Sequence, residues 1–366
     1  MEPLPVASDF ERARQLVLSH GWNSTSFQIV NPGIKRWFSE DGDAVVGFVS
    51  ARKMRIVVGA PVCAKERLAA VSRAFEAETE AAGLTACYFG AEARLEDAVA
   101  HDGGHSEFLI GAQPVWHPQE WPEIVAKNRS LRAQVNRARN KGVAVEEWTV
   151  EQAANNPQLE DLLAAWLASK GLPPLHFMVE TDTLARLEHR RIFVAKMKDE
   201  IVGFVILSPV PNRNGWLFEQ FPHRPGAANG TVELMIDTAM RTLAADGTEY
   251  ATLGISPLST RATLPEESPP LWLRILLVWL RRHGRRFYNF DGLDAFKAKL
   301  RPMRWEPVYV LVSEPKVRVR TLFAILDAFS GNAPVALVSG ALAKAAATEM
   351  KRFRALVRPS KRKETK

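Results

Sequence analysis

The chain has 366 residues, 46% hydrophobic and 24% charged, a globular composition with no dominant repeat and room for two ordinary domains. Lys and Arg number 48 against 41 Asp and Glu, and this basic balance favours anionic partners, either nucleic acid or an acidic membrane surface. The two cysteines, Cys63 and Cys87, argue against a disulfide framework and for a reduced, cytoplasmic setting. The first residues lack the features of a signal peptide, and no apolar run reaches membrane-spanning length, so any membrane contact is expected to be peripheral.

In chain order, β-branched runs predict strands over 44–49 and 55–58, joined by a basic turn at Arg52 and Lys53. A helix over 65–82 follows and Gly83 closes it; strands over 85–89 and 107–110 come next. Residues 122–142 read as one helix with a basic face, leading into a strand over 143–147. A similar order then recurs. Helices are predicted over 159–170 and 181–189, strands over 192–196, 201–209 and 215–220, and a helix over 231–245. A strand over 250–253, a helix over 271–283 and a strand over 309–312 complete it. The boundaries are a first unit at 1–120, a basic connecting helix at 121–142, a second unit at 143–315, and a helical basic extension at 316–366. The expected class is α/β (α+β), with mixed central sheets flanked by helices. The order of the second unit resembles the GNAT acyltransferase fold, and the first reads as a degenerate copy.

Two segments carry most of the chemistry. In HRPGAANGT, a strand runs through a Gly/Asn turn into a helix starting near Thr231, where free N–H groups attract anions and Arg224 adds a charge. An ordinary strain-relieving loop fits the same pattern. In FKAKLRP, Lys297, Lys299 and Arg301 alternate, which points them to one side if the segment is extended. A solvated basic face is the bland alternative; the nearby Trp305, Glu306 and Tyr309 weigh against it, since aromatics beside lysines suit stacking on a base or ribose. A third candidate is the helix bearing Arg129, Arg132 and Arg139, spaced to share one side and to meet RNA phosphates or anionic headgroups; a solvent-facing helix between domains is the more ordinary reading of the same pattern. Glu219, at a strand end before the glycine turn, is a candidate general base. The eight histidines show no metal-ligand spacing, so no metal is expected.

The segments RSLRAQVNRARNKGV, FPHRPGAANGT, LGISPLS, HGRRFYNFDGLDAFKAKLRP and WEPVY, in that order, resemble the catalytic domain of bacterial aminoacyl-phosphatidylglycerol synthases, the lysylphosphatidylglycerol synthase family. That domain is a tandem of two GNAT folds. The resemblance implies transfer of an amino acid from aminoacyl-tRNA to a hydroxyl of a membrane lipid such as phosphatidylglycerol, an anionic acceptor, with neither metal nor coenzyme A and no other cofactor. It implies that Lys297, Lys299 and Arg301 hold the tRNA 3′ end or the developing oxyanion. Arg224, Asn229 and Gly230 would shape the phosphate-facing turn, and Glu306 and Tyr309 would line the aminoacyl pocket. Glu219, Lys299 and Glu306 form the expected catalytic set, with Ser256 and Trp305 among the substrate contacts.

The sequence departs from the family pattern in places. An acid followed three residues later by arginine is usual before HRP; here the acid is Glu219 and the arginine position is Pro222. Leu300 stands where phenylalanine is usual, and Val308 where arginine is common. Two rivals stand beside the aminoacyltransferase reading. One is a GNAT-type acyltransferase using acyl-CoA on a small molecule or peptide. The other is a non-catalytic module binding tRNA or anionic membranes, to which Pro222 lends weight.

Overall fold

A computed structural model describes residues 8–99, 103–170, 177–178, 183–262, 270–283 and 290–330. The basic tail at 351–366 and the segment 284–289 lie outside these residues.

The chain opens with α1 (Asp9–His20), capped by the Ser8 hydroxyl, which accepts from the Glu11 N–H. Strands β1 (Lys35–Phe38), β2 (Val45–Ala51) and β3 (Met54–Val58) form an antiparallel meander. Arg52 and Lys53 turn the β2–β3 hairpin with φ of 46° and 59°, the backbone a two-residue turn requires. Helix α2 (Leu68–Ala81) then crosses over to β4 (Thr85–Ala91), parallel to β3. After α3 (Ala93–Val99) comes the long strand β5 (Ser106–Trp116), then α4 (Trp121–Lys127) and α5 (Arg129–Asn140).

The second half repeats this plan. Strand β6 (Val143–Trp148), helices α6 (Val150–Ala153) and α7 (Pro157–Lys170), and strands β7 (Arg191–Met197), β8 (Glu200–Val210) and β9 (Gly215–Phe218) give an antiparallel series. Helix α8 (Thr231–Ala245) crosses to β10 (Tyr250–Thr252), parallel to β9. The chain continues through β11 (Ser256–Pro257), α9 (Leu271–His283), α10 (Phe290–Lys299), β12 (Arg304–Val312) and α11 (Val319–Ser330).

All strands join one sheet, ordered β1-β2-β3-β4-β12-β5-β10-β9-β8-β7-β6, with β11 also paired to β5. The closing strands of the two halves are exchanged. β12, from the second half, lies between β4 and β5 of the first; β5, from the first, lies beside β10 of the second. The fold is thus mixed α/β, two GNAT-like units in tandem welded by this exchange. Separate apolar cores lie under α2 and α3 (around Phe75 and Tyr88) and under α5 and α8 (around Trp121 and Met240). Another, around Ile56, Leu273 and Val310, is covered by α1, α9 and α11.

Several predicted elements shift. The single helix expected over 122–142 is two, broken at Asn128, whose side chain caps α5 by accepting from the Leu131 N–H. The helix expected over 181–189 does not form: residues 183–189 are turns and coil, with 181 and 182 outside the described residues. Lys297 and Lys299 lie on helix α10, not on an extended segment, so alternation does not set their direction. Leu293, Phe296 and Leu300 give the apolar spacing of that helix, and Arg301 follows it with φ of 52°.

Candidate functional site

At the seam between the halves, one guanidinium gathers two carboxylates. Arg213, in the turn between β8 and β9, donates to both oxygens of Glu306 on β12 at 2.6 and 2.9 Å, and to Glu92, just past β4, at 3.1 Å. Its guanidinium lies 3.7 Å from the centre of the Tyr250 ring and 4.6 Å from that of Trp22. Glu92 is 2% exposed and accepts from the Ser24 N–H at 2.7 Å; the Ser24 hydroxyl donates to Gln113, whose amide donates to Glu306 at 3.3 Å. Arg304 adds a second cation to Glu306 at 2.8 Å.

Burial pushes the Glu92 carboxyl upward, and Arg213 only partly offsets it. Burial also acts on Glu306, but Arg213 and Arg304 outweigh it and hold that carboxyl below its ordinary value. The arrangement keeps one firmly anionic carboxylate beside one whose charge is costly. Both Glu306 oxygens already accept from Arg213, with Arg304 and Gln113 adding further donors, and the Trp22 and Tyr250 rings pack on the Arg213 guanidinium. Glu306 is expected from the sequence; Glu92, Gln113, Arg213 and Tyr250 are not, because they reach the seam from four different parts of the chain and share no sequence spacing.

Helix α10 sits beside the irregular junction of β10 and β11. Gly254 takes φ of 69° there, and the bend turns two carbonyls toward Lys297. The Lys297 amine, 4% exposed in its side-chain environment, donates to the Gly254 and Ile255 oxygens at 2.8 Å each. Burial lowers its pKa to about 7 against the opposing pull of Asp294. Asp294 in turn accepts from the Ser259 hydroxyl at 2.6 Å and from Arg261 at 2.7 Å, and Arg261 lies over the Trp305 ring. Ser256 is fully buried, and its hydroxyl has no hydrogen-bond partner among the described residues. Thus Lys297, Trp305 and the 254–261 segment form one connected assembly, joined along β12 to Glu306.

Lys299 turns elsewhere, to Glu233 in the first turn of α8 at 2.9 Å. Gly230 caps that helix with φ of 98°, and a methyl group on it would stand 2.0 Å from the Gln134 carbonyl oxygen. The backbone of α5 therefore presses against the α8 N-cap. This close approach, and not only an anion, explains the glycine. Arg224 donates to the Ile201 oxygen at 3.0 Å and pairs with Glu200 at 2.9 Å, and Asn229 is exposed. Arg224, Lys297 and Lys299 are each held by a different partner and do not converge on one space. An open depression of about 430 Å³ lies against α1 and the β8–β9 hairpin, lined by residues that include Leu18, Arg190 and Trp216. A second, a crevice of only about 20 Å³, is lined by residues that include Trp22, Asn23, Cys63 and Glu92. Neither is lined by the three cations.

Residues 219–224 run alongside β8: Glu219 N–H donates to Ile206, Phe204 N–H to Pro222, and Arg224 N–H to Val202. This spacing leaves position 222 with no donor duty toward β8, so proline fits. The Ser208 hydroxyl donates to the Glu219 carboxylate, which lies 3.2 Å from the Arg190 guanidinium, itself only 3% exposed. A cation therefore stands at Glu219 although residue 222 is proline. On α5, Arg129 is exposed, Arg132 bends back to the Val125 and Ala126 oxygens, and Arg139 pairs at 2.9 Å with buried Asp237. Arg301 donates to the Lys127 oxygen at 3.4 Å. Tyr309, beyond a register shift in β12, is buried with Tyr88 and Leu311 under α2 and α3, away from Glu306.

The tandem halves, exchanged strands and charged seam define a two-unit, GNAT-like protein. The family model described as phosphatidylglycerol lysyltransferase, C-terminal, matches residues 14–312, and the chain belongs to that family. A phosphatidylglycerol lysyltransferase of Bacillus subtilis (strain 168) is 24% identical over 332 residues; the match covers 88% of this chain and 37% of that protein. The chain thus spans well under half the length of that relative. Among solved structures, the C-terminal domain of a candidate lysylphosphatidylglycerol synthetase from Agrobacterium fabrum superposes with a TM-score of 0.74 at 23% identity, covering 88% of this chain and 98% of that one. L-PGS from Bacillus licheniformis gives a TM-score of 0.72 at 21% identity, covering 89% and 96%. These likenesses establish a shared fold.

Proposed function

We propose that the chain is an aminoacyltransferase that moves an amino acid from aminoacyl-tRNA to a hydroxyl of a membrane lipid such as phosphatidylglycerol. The family match across residues 14–312 carries the reading. The seam adds chemical support. An aminoacyl ester brings a cationic ammonium group, and Glu306, kept anionic by Arg213 and Arg304, would offer it a counter-charge in place of the exposed Arg304. In the reaction the acceptor oxygen bonds to the ester carbonyl carbon, the ribose oxygen leaves, and the acceptor's proton ends on that ribose oxygen. The ester is already activated, so positioning and charge stabilisation supply most of the catalysis. Lys297 is near enough to neutrality to release or take up a proton at physiological pH. Lys299 and Arg301 would meet the nucleic-acid end.

The acyl-CoA alternative loses ground at Gly230, because α5 crowds the helix start where a pyrophosphate would rest. The deciding experiment supplies labelled aminoacyl-tRNA and phosphatidylglycerol vesicles and analyses the extracted lipid by mass spectrometry. An amine-bearing lipid whose formation stops on ribonuclease treatment is expected. Product formed from acyl-CoA and indifferent to ribonuclease would overturn the reading. No product at all from the wild-type chain, with RNA or lipid binding intact, would favour a binding module.

A further inference from the structure

Exposed apolar side chains are not scattered over the described residues. Among the described residues, seven of the eight large ones lie on α9 and α11. On α9, Leu271, Ile275 and Val278 are 70%, 61% and 67% exposed; on α11, Val319, Phe323 and Leu326 are 54%, 47% and 39% exposed. Both sets follow the spacing i, i+4, i+7, which puts each on one stripe of its helix. Both helices also bury apolar residues, Leu273 from α9 and Ala324 and Ala328 from α11, in the same core. The outer stripes are therefore additional to the inner faces that hold the helices in place.

We propose that these two stripes form a docking face for an anionic lipid bilayer. The charge around them selects this occupant. Helix α9 contains no acidic residue, and the one acid of α11, Asp327, is paired at 2.5 Å with Arg52, whose guanidinium lies over the Phe323 ring. Exposed Arg274 sits beside the α9 stripe and exposed Lys316 precedes α11, while Arg318, also exposed, is paired at 3.2 Å with Glu314. Apolar side chains flanked by cations suit the boundary between acyl chains and anionic headgroups. A second copy of this chain would bring the same cations against one another, which disfavours self-association through this face.

The face is also coupled to the lysine assembly. Arg281 of α9 donates to the Leu258 oxygen and the Thr260 hydroxyl, both at 3.1 Å. Those residues flank Ser259 and Arg261, which grip Asp294 one turn before Lys297. This inference rests on the aminoacyltransferase reading for its purpose, the delivery of a lipid acceptor, but its binding event can be measured alone.

The test is co-sedimentation of the full chain with vesicles of phosphatidylcholine containing or lacking phosphatidylglycerol. The double variant Ile275→Ser/Phe323→Ser should bind anionic vesicles about tenfold or more weakly, with an unchanged melting temperature. Arg274→Gln/Lys316→Gln should reduce the preference for anionic over neutral vesicles. Transfer to monomeric short-chain phosphatidylglycerol should persist in the stripe variant while transfer to vesicles falls, which separates docking from chemistry. Wild-type vesicle binding by the stripe variant would overturn the proposal. So would a change from dimer to monomer in sedimentation velocity at unaltered vesicle binding, which would assign the face to a second copy.

Discussion

Gly230 and Gln134 meet main chain to main chain, where α5 crosses the N-cap of α8. Any side chain at 230 would strike the Gln134 carbonyl, and φ of 98° is strained for an L-residue. Gly230→Ala should therefore cost stability by about 2–4 kcal/mol, the positive-φ penalty plus forced separation of two packed helices. Thermal melting checks this. If the glycine served only to admit a phosphate, activity would fall with the melting temperature unmoved.

Arg213 is the hub of the seam, and removing it strands Glu92 beneath the surface. Arg213→Met should destabilise by about 3–5 kcal/mol, as expected for a buried charge left without its partner. Adding Glu92→Gln should restore part of the loss, because a neutral amide can keep the Ser24 contact. Denaturant midpoints for the single and double variants measure the coupling. Glu306→Gln keeps the shape and removes the charge; KM for the aminoacyl donor should rise more than kcat falls.

The strand and helix series was largely legible in the chain. The runs that became β2, β3, β7 and β8 are rich in Val, Ile and Phe, and the helices over 231–245 and 271–283 fall at their predicted bounds. Alternating lysines misled at 297–301 because the helical spacing of Leu293, Phe296 and Leu300 was the stronger physical signal. The turns at 183–189 carry helix-compatible residues, but Arg186 reaches across to the Val30 oxygen at 2.6 Å, a tertiary contact that local propensity does not contain. Strand exchange between β5 and β12, and the convergence of Glu92, Arg213 and Glu306, are likewise long-range. Residues 93 and 121 positions apart in sequence are joined there only by the folded sheet.

Pro222 should prove tolerant to change and Arg190 should not. Residue 222 offers only its carbonyl to β8, so Pro222→Ala loses little beyond the ring's restriction of the unfolded chain, about 1 kcal/mol or less. Arg190→Met leaves Glu219 facing Ser208 without a cation and also drops the contact to Asn31 at 3.0 Å. It should be the more damaging of the two by denaturation. Equal losses would show that the residue-222 backbone bears more of the structure than its hydrogen bonds indicate.

Lys297 should leave a signature in the pH dependence of stability. Its folded pKa of about 7 lies below the ordinary 10.5 because burial disfavours the cation. Below pH 7 both states carry the proton, and the folded chain bears the full cost of the buried charge. From about pH 7 to about pH 10.5 the unfolded chain holds more protons, so this residue makes stability rise with pH. Lys297→Met removes the titration, and the rise it causes should vanish from the difference between wild type and variant. Denaturant midpoints at about pH 6.5 and about pH 9.5 decide it: the variant should compare better with wild type at the lower pH than at the higher. An unchanged difference at the two values would mean that the amine keeps its proton in the fold, held by the Gly254 and Ile255 carbonyls, and serves there as a fixed cation.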